Sequence, residues 1–346
     1  MTKVLIGLFL VFCLALPAQA QEMTAPEVPQ SGYARMPQDT TSLADALWEL
    51  IQNSIRHIHP ELTDAANVCS EILFYSLLFS VLSLLSEKIA APAAIAGTAT
   101  IAAAILQHTN SMVEYAAHSV QEICEYGKLL CPVLTTALAA QGGITTSAAL
   151  FAGTTAFNAL LGTLVSKCFL PMIYLFLVFS MANCAFGEEI LKKITDAVKN
   201  ILHWLLKTLL IVFTTYMSIT GVVSGMTDAA ALKAAKLTMS TVIPVVGGIL
   251  SDASESVLVS MGVMKNAAGI YGILATLAVF MGPFIRVGVQ YLLLKISAWI
   301  CSLFAGKNIS GLVDDFSAAM GLLLAMVAAS CIFVLISTVC FMKGIG

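Results

Sequence analysis

The chain has 346 residues, 59% of them hydrophobic and 11% charged, with a net charge of −3 and a mean hydropathy of +0.92. Soluble domains carry roughly 25% charged residues, so this composition argues against a water-soluble globule. No basic field is present, which leaves a nucleic-acid partner without an electrostatic footprint.

Lys3, the apolar run 4–16 and Pro17-Ala18-Gln19-Ala20 have the parts of a secretory signal, down to its A-x-A cleavage site. The run is shorter than the about 20 residues that a membrane span needs. Residues 1–20 are therefore expected to be removed as a signal peptide, leaving Gln21 outside. The region 21–66 reads as an extracytoplasmic lead. Its first part is polar, with Pro26, Pro29 and Pro37. Leu43, Leu47, Leu50, Ile51, Ile55 and Ile58 then recur at three and four residues, with Asp45, Glu49, Gln52 and Arg56 between them. That spacing predicts an amphipathic helix opened by Thr41 or Ser42 and stopped by Pro60. Such a helix suits the membrane surface, a partner, or the chain's own membrane domain.

Residues 67–346 form the multi-span domain. The fold class expected is all-α, a polytopic transmembrane bundle of about eight or nine spans with one broken or re-entrant polar element. The apolar runs are 68–86, 91–106, 129–140, 148–165, 169–186, 202–223, 267–284, 287–304 and 320–341. Between them, 111–126 is polar enough (Glu114, His118, Glu122, Glu125) to be an external amphipathic helix. The segment 187–200 carries Glu188, Glu189, Lys192, Lys193 and Lys199 as a charged loop. Counting each run as one crossing from an outside Gln21 puts 187–200 in the cytoplasm, 226–265 outside and Lys343 inside.

The stretch 226–272 interrupts this series. An Ala-rich helix bearing Asp228, Lys233 and Lys236 runs to about Val242 and meets Pro244, Gly247 and Gly248. Pro lacks a backbone donor and Gly admits positive φ, so a break is expected across 243–248. A second polar helix then restarts near Ser251 and Asp252, with Glu255 in capping position, and leads to Lys265. A broken half-polar segment between spans is where membrane proteins place working backbone. An ordinary external helix–loop–helix fits the same residues.

Two cations stand inside apolar sequence. Arg286 follows Gly282-Pro283 at an expected helix junction and reads as an interface anchor in preference to a pore residue. Lys295 lies roughly 12 Å deeper along the helix, where a cation costs about 3 kcal/mol. It either faces a polar pathway, pairs with Asp314 or Asp315 on the following loop, or snorkels along a tilted helix. Gln290 shares a face with Arg286, while Lys295 points the opposite way.

Catalytic equipment is missing from the sequence. There is no HExxH, GxSxG, Walker or dinucleotide-binding pattern. The five histidines are scattered, and His57 and His59 project about 200° apart on a helix. Cys69, Cys124, Cys131, Cys168, Cys184, Cys301, Cys331 and Cys340 form no CxxC pair and read as small apolar filler. No cofactor, metal or catalytic residue is assigned, and the chain is read as a non-enzyme.

The central block also resembles a known family. Asp228, Lys233-Ala234-Ala235-Lys236, Pro244-Val245-Val246-Gly247-Gly248, Ser251-Asp252-Ala253 and Val263-Met264-Lys265-Asn266-Ala267-Ala268-Gly269 resemble the pattern of the stage III sporulation protein AE family. So do Gly142-Gly143 and Gly282-Pro283-Phe284-Ile285-Arg286. Two departures stand out. Ala305-Gly306-Lys307-Asn308 replaces the Pro-Ile-Gly-Asp that similar proteins tend to carry, and 21–66 is short. The resemblance implies a multi-pass protein of the mother-cell membrane surrounding the forespore. It implies assembly with the other membrane proteins and the ATPase of its operon, and with the forespore-side Q protein, into a secretion-like channel. The segment 187–200 is then the expected contact for the ATPase. A stand-alone small-molecule transporter is the alternative; it calls for inverted repeats, and only one broken segment is evident.

Overall fold

The computed structural model describes residues 25–37, 43–56, 58–85, 87–242 and 247–343. Every regular element among them is helical: α1 Gln30–Tyr33, α2 Leu43–Arg56, α3 Ile58–Leu85, α4 Glu87–Ala140 and α5 Ile144–Leu164. A π turn at Val165–Phe169 carries α5 directly into α6, Leu170–Phe186. The remaining helices are α7 Glu189–Val242, α8 Gly247–Phe304 and α9 Gly306–Lys343. The all-α polytopic bundle expected from hydropathy is the fold observed. Residues 1–20, the expected signal, lie outside the described residues.

The number of spans is smaller than expected. Among the described residues, six helical stretches are long and apolar enough to cross a membrane: Ile58–Leu82, Ala96–Ala140, Ile144–Phe186, Glu189–Thr220, Asn266–Phe304 and Asn308–Lys343. Three of them each hold two of the apolar runs end to end. The runs 91–106 and 129–140 share α4, and 111–126 joins them as helix instead of lying outside. The runs 148–165 and 169–186 join through the π turn. The runs 267–284 and 287–304 share α8, where Pro283 sits inside the helix and does not end it. A proline removes one helical hydrogen bond, yet α8 continues through it.

Contacts along the bundle place those runs in two stacked tiers. At one end, Ser80 Oγ donates to the Phe304 carbonyl at 2.6 Å, and Cys184 Sγ donates to the Asn308 carbonyl at 3.0 Å. A Cβ added to Gly97 would overlap the Phe79 ring. The lower tier therefore contains α3, the start of α4, α6 and the end of α8. At the other end, Met342 covers Gly269 and Leu130 covers Gly272. Phe213 stacks on Phe333 at 4.2 Å, with Phe157 edge-on to Phe213 at 5.1 Å. The upper tier thus contains the end of α4, α5, the span part of α7, and the paired portions of α8 and α9. A stretch of 45 residues such as Ala96–Ala140 is roughly 65 Å long, about twice a 30 Å hydrocarbon core.

This packing corrects the placement of Lys343. Because 267–304 is one helix, the chain passes along the bundle once there and not twice, and α9 returns beside it. Met342 lies against Gly269, so Lys343 is at the same end as the helices that lead into 226–265.

Small residues set the closest approaches. Gly32 in α1 packs on Val279, where a Cβ would fall 2.9 Å from the Val279 backbone nitrogen; glycine is needed for that distance. The amphipathic helix forms as α2, and it docks on the chain's own bundle through Ala46, Leu50 and Ser54, all buried. The buried face is rotated from the expected one. Trp48, Ile51 and Ile55 are exposed, because the small Ala46 and Ser54 allow the nearer approach. Pro60 does not stop this helix; it occupies the first turn of α3, where a missing N–H costs no helical bond.

Candidate functional site

Where the two tiers meet, the regular helices are interrupted and the charged residues converge. Pro283 lies within α8 here, α3 begins here, and the π turn lies at the same height. The height follows from the 2.6 Å hydrogen bond between Tyr174 and Asn110: α4 and α6 run antiparallel, so about one and a half further turns on each bring Phe169 level with Tyr115. A π turn leaves backbone groups out of the α-helical ladder and is frequent at working sites.

Arg286 is at the centre of this waist. Its Nε lies 3.4 Å from Glu61 Oε2, close enough for an ion pair but without the alignment of a hydrogen bond, so the N–H remains unused. The guanidinium covers the Tyr115 ring at 4.8 Å, a geometry in which the ring face attracts the cation. Arg35 reaches the same place from the segment after α1. A Cβ on Gly282 would fall 2.9 Å from Arg35 Nη1 and 3.2 Å from the Tyr115 hydroxyl. A side chain at 282 would push on the Arg35 and Tyr115 tips where α1, α4 and α8 meet.

Below the cluster lies a cavity of about 200 Å³ with three polar walls. Glu61, Asp64 and Asn67 come from one face of α3. His108 and Ser111 come from α4, and Arg286 and Gln290 from α8. Gln290 is only 4% exposed.

Two further polar links lie in the lower tier. Lys295 pairs with Asp314, one of the partners expected for it, although Asp314 is on helix α9 and not on a loop. Asp315 accepts a 2.6 Å hydrogen bond from Ser180 of α6. In the upper tier, Thr154 and Asn158 of α5 are buried, with Thr154 Oγ1 and Asn158 Oδ1 unpaired. They border a space of about 10 Å³ between α4, α5 and α9, roughly the room that one water requires. Among the described residues, no group of three His, Cys, Asp or Glu side chains is placed to hold a metal. The eight cysteines among the described residues are free and mostly buried.

Residues 37–344 match the profile of the family described as stage III sporulation protein AE. The chain belongs to that family. A stage III sporulation protein AE from Bacillus subtilis (strain 168) is 26% identical over 234 residues, covering 67% of this chain and 58% of that protein. The chain thus aligns with little more than half the length of that relative. No solved structure matches.

Of the residues that carried the family resemblance, Gly282, Pro283 and Arg286 lie at the waist. Asp228, Lys233 and Lys236 are on α7, which is unbroken from Glu189 to Val242, so this Ala-rich helix continues the preceding span. Pro244 lies outside the described residues. Gly247 and Gly248 are the first residues of α8, so the helix restarts there and not near Ser251; glycine is tolerated at a helix start. Asp252 and Lys265 fall where only the helical backbone is described. The segment 187–200 is not a loop either. Gly187, at φ 68°, caps α6, and α7 begins two residues later with Glu189 paired to Lys193 at 3.9 Å. The sequence reading singled out Arg286 and Lys295 but missed Glu61, Tyr115 and Arg35. Their only signal was Glu61 in the polar first turns of a helix that ends in an apolar run.

Proposed function

We propose that this protein is a non-enzymatic, multi-pass subunit of a secretion-like channel between mother cell and forespore. In this reading it resides in the mother-cell membrane around the forespore. It assembles there with the other membrane proteins of its operon and with the forespore-side Q protein. The observation that carries the reading is the family match across 37–344. The architecture supports it: the polar groups of the bundle tie helices to one another, and exposed charges on Glu188, Glu189, Lys192 and Lys193 offer a contact for the operon's ATPase. The test is a pull-down of the tagged full-length protein from sporulating cells. Co-purification of the operon proteins and the forespore-side protein is expected; recovery of the bundle alone would overturn the reading.

One observation favours the alternative, a transporter working alone. A π turn and the helix proline Pro283 lie near the height of a polar cavity, and transporters place substrate sites at irregular helix segments. Substrate uptake by the purified protein in vesicles, without any partner, would select this reading.

A further inference from the structure

The waist cavity has a charge balance and a shape that define a class of ligand. Its α3 wall carries two carboxylates, and only Glu61 faces a cation, Arg286 at 3.4 Å. Asp64 has no partner among the described residues, which leaves one uncompensated negative charge beside the opening. Across from it, Gln290 is 96% buried by its 4% exposure, faces the cavity and makes no hydrogen bond to any described residue. Its amide opens on the cavity and takes its hydrogen bonds from whatever fills that space. Asn67 and Ser111 add two more oxygens. Oxygen acceptors with one net negative charge select a cation. At about 200 Å³, the space is far larger than a bare ion, and Met112 and Val68 give it an apolar side suited to methylene groups.

We propose that this cavity binds a primary ammonium ion on a short alkyl stem, with its N–H groups donating to Asp64, Asn67 and Gln290. The three donors of such an ion match three separate oxygen acceptors, and Asp64 supplies the opposite charge. Two sources offer this chemistry: a free alkylamine, and the ethanolamine headgroup of a phospholipid. The inference holds whether the chain acts in a channel or alone.

The test uses the full-length protein in detergent, titrated calorimetrically with ethylammonium chloride against sodium chloride at equal ionic strength. A second arm compares thermal midpoints in nanodiscs of phosphatidylethanolamine and of phosphatidylcholine. Asp64→Asn and Gln290→Leu are the variants, and Asp64→Asn keeps the exposed helix face intact. Ethylammonium binding weakened roughly tenfold or more by Asp64→Asn, a loss of one charge-assisted hydrogen bond, supports a free amine. A higher midpoint in phosphatidylethanolamine that vanishes in Asp64→Asn supports the headgroup. Equal response to sodium, or no difference between wild type and Asp64→Asn in both arms, overturns the proposal.

Discussion

Asp314 and Asp315 are consecutive residues of α9 that hold two different helices. Asp314 pairs with Lys295 of α8, while Asp315 accepts a hydrogen bond from Ser180 of α6. Successive residues on a helix point about 100° apart, so one carboxylate can face each neighbour. This doublet fastens the lower tier around α9, whose apolar face is otherwise buried at Val313, Phe316 and Met320. Removing one member of an ion pair from apolar surroundings costs more than removing both, because the survivor is left uncompensated. Both side chains are about half exposed, at 52% and 45%, which reduces the effect. Lys295→Met should cost about 1–2 kcal/mol. The double variant Lys295→Met/Asp314→Leu should recover most of it. Thermal unfolding in detergent decides this; a double variant as unstable as the two single losses combined would show that the pair has no coupling.

The same residues show what a linear reading reaches and where it stops. Lys295 declared itself, because a cation in apolar sequence needs a partner and Asp314 was the nearest acid along the chain. Arg286 was equally conspicuous, yet its partner Glu61 lies in a helix that hydropathy sets apart from it, and no spacing rule links the two. The apolar runs were legible one by one. Their stacking was not, since a hydropathy window reads a polar helical linker such as 111–126 as an exit from the membrane. Only packing reveals that it continues: Met112, Val113, Ala116 and Val120 are buried while Glu114, His118 and Glu125 line the outer face. Pro283 misled in the same way. A proline is a probable helix end in isolation, and tertiary contacts around the waist hold it within α8.

Two glycines of the upper tier should respond in opposite directions to alanine. A Cβ on Gly153 would run into the Tyr216 ring. That ring also leans on Phe157 at 5.7 Å and donates its hydroxyl to the Ala149 carbonyl at 3.2 Å, so it has little freedom to move. Overpacking of this kind costs about 1–3 kcal/mol, and Gly153→Ala should lower the thermal midpoint accordingly. Gly162 has nothing within 4 Å of a built Cβ and is helical. Gly162→Ala should therefore raise stability by about 0.5–1 kcal/mol. A loss of stability at Gly162→Ala would indicate that the neighbouring π turn depends on glycine there.

At the waist, Gly282→Ala should release the N-terminal segment from α8. The added methyl would meet Arg35 Nη1 at 2.9 Å and the Tyr115 hydroxyl at 3.2 Å. Arg35 also donates to the Ser31 carbonyl at 2.9 Å, so displacing it disturbs the turn that follows α1. Limited trypsin digestion reads this directly: cleavage after Arg35 should accelerate several-fold in Gly282→Ala. Gly311→Ala, where a Cβ meets nothing within 4 Å, should leave the digestion rate unchanged. Equal rates in Gly282→Ala and wild type would mean that the guanidinium accommodates the methyl without undocking.

The passage of α8 along the bundle as one helix has a consequence for sidedness. If 267–284 and 287–304 were separate crossings, Lys343 and the segment 226–265 would face opposite sides of the membrane. With one passage they face the same side, as Met342 against Gly269 requires. Lys192 and Lys193 stand at the other end, next to the Gly187 corner. Lys233→Cys and Lys343→Cys should therefore react with a membrane-impermeant maleimide from one side, and Lys192→Cys from the opposite side. Most native cysteines are buried, so their background labelling should be low. Should Lys343→Cys react together with Lys192→Cys, α8 must turn back at Pro283, and the two-tier arrangement fails with it.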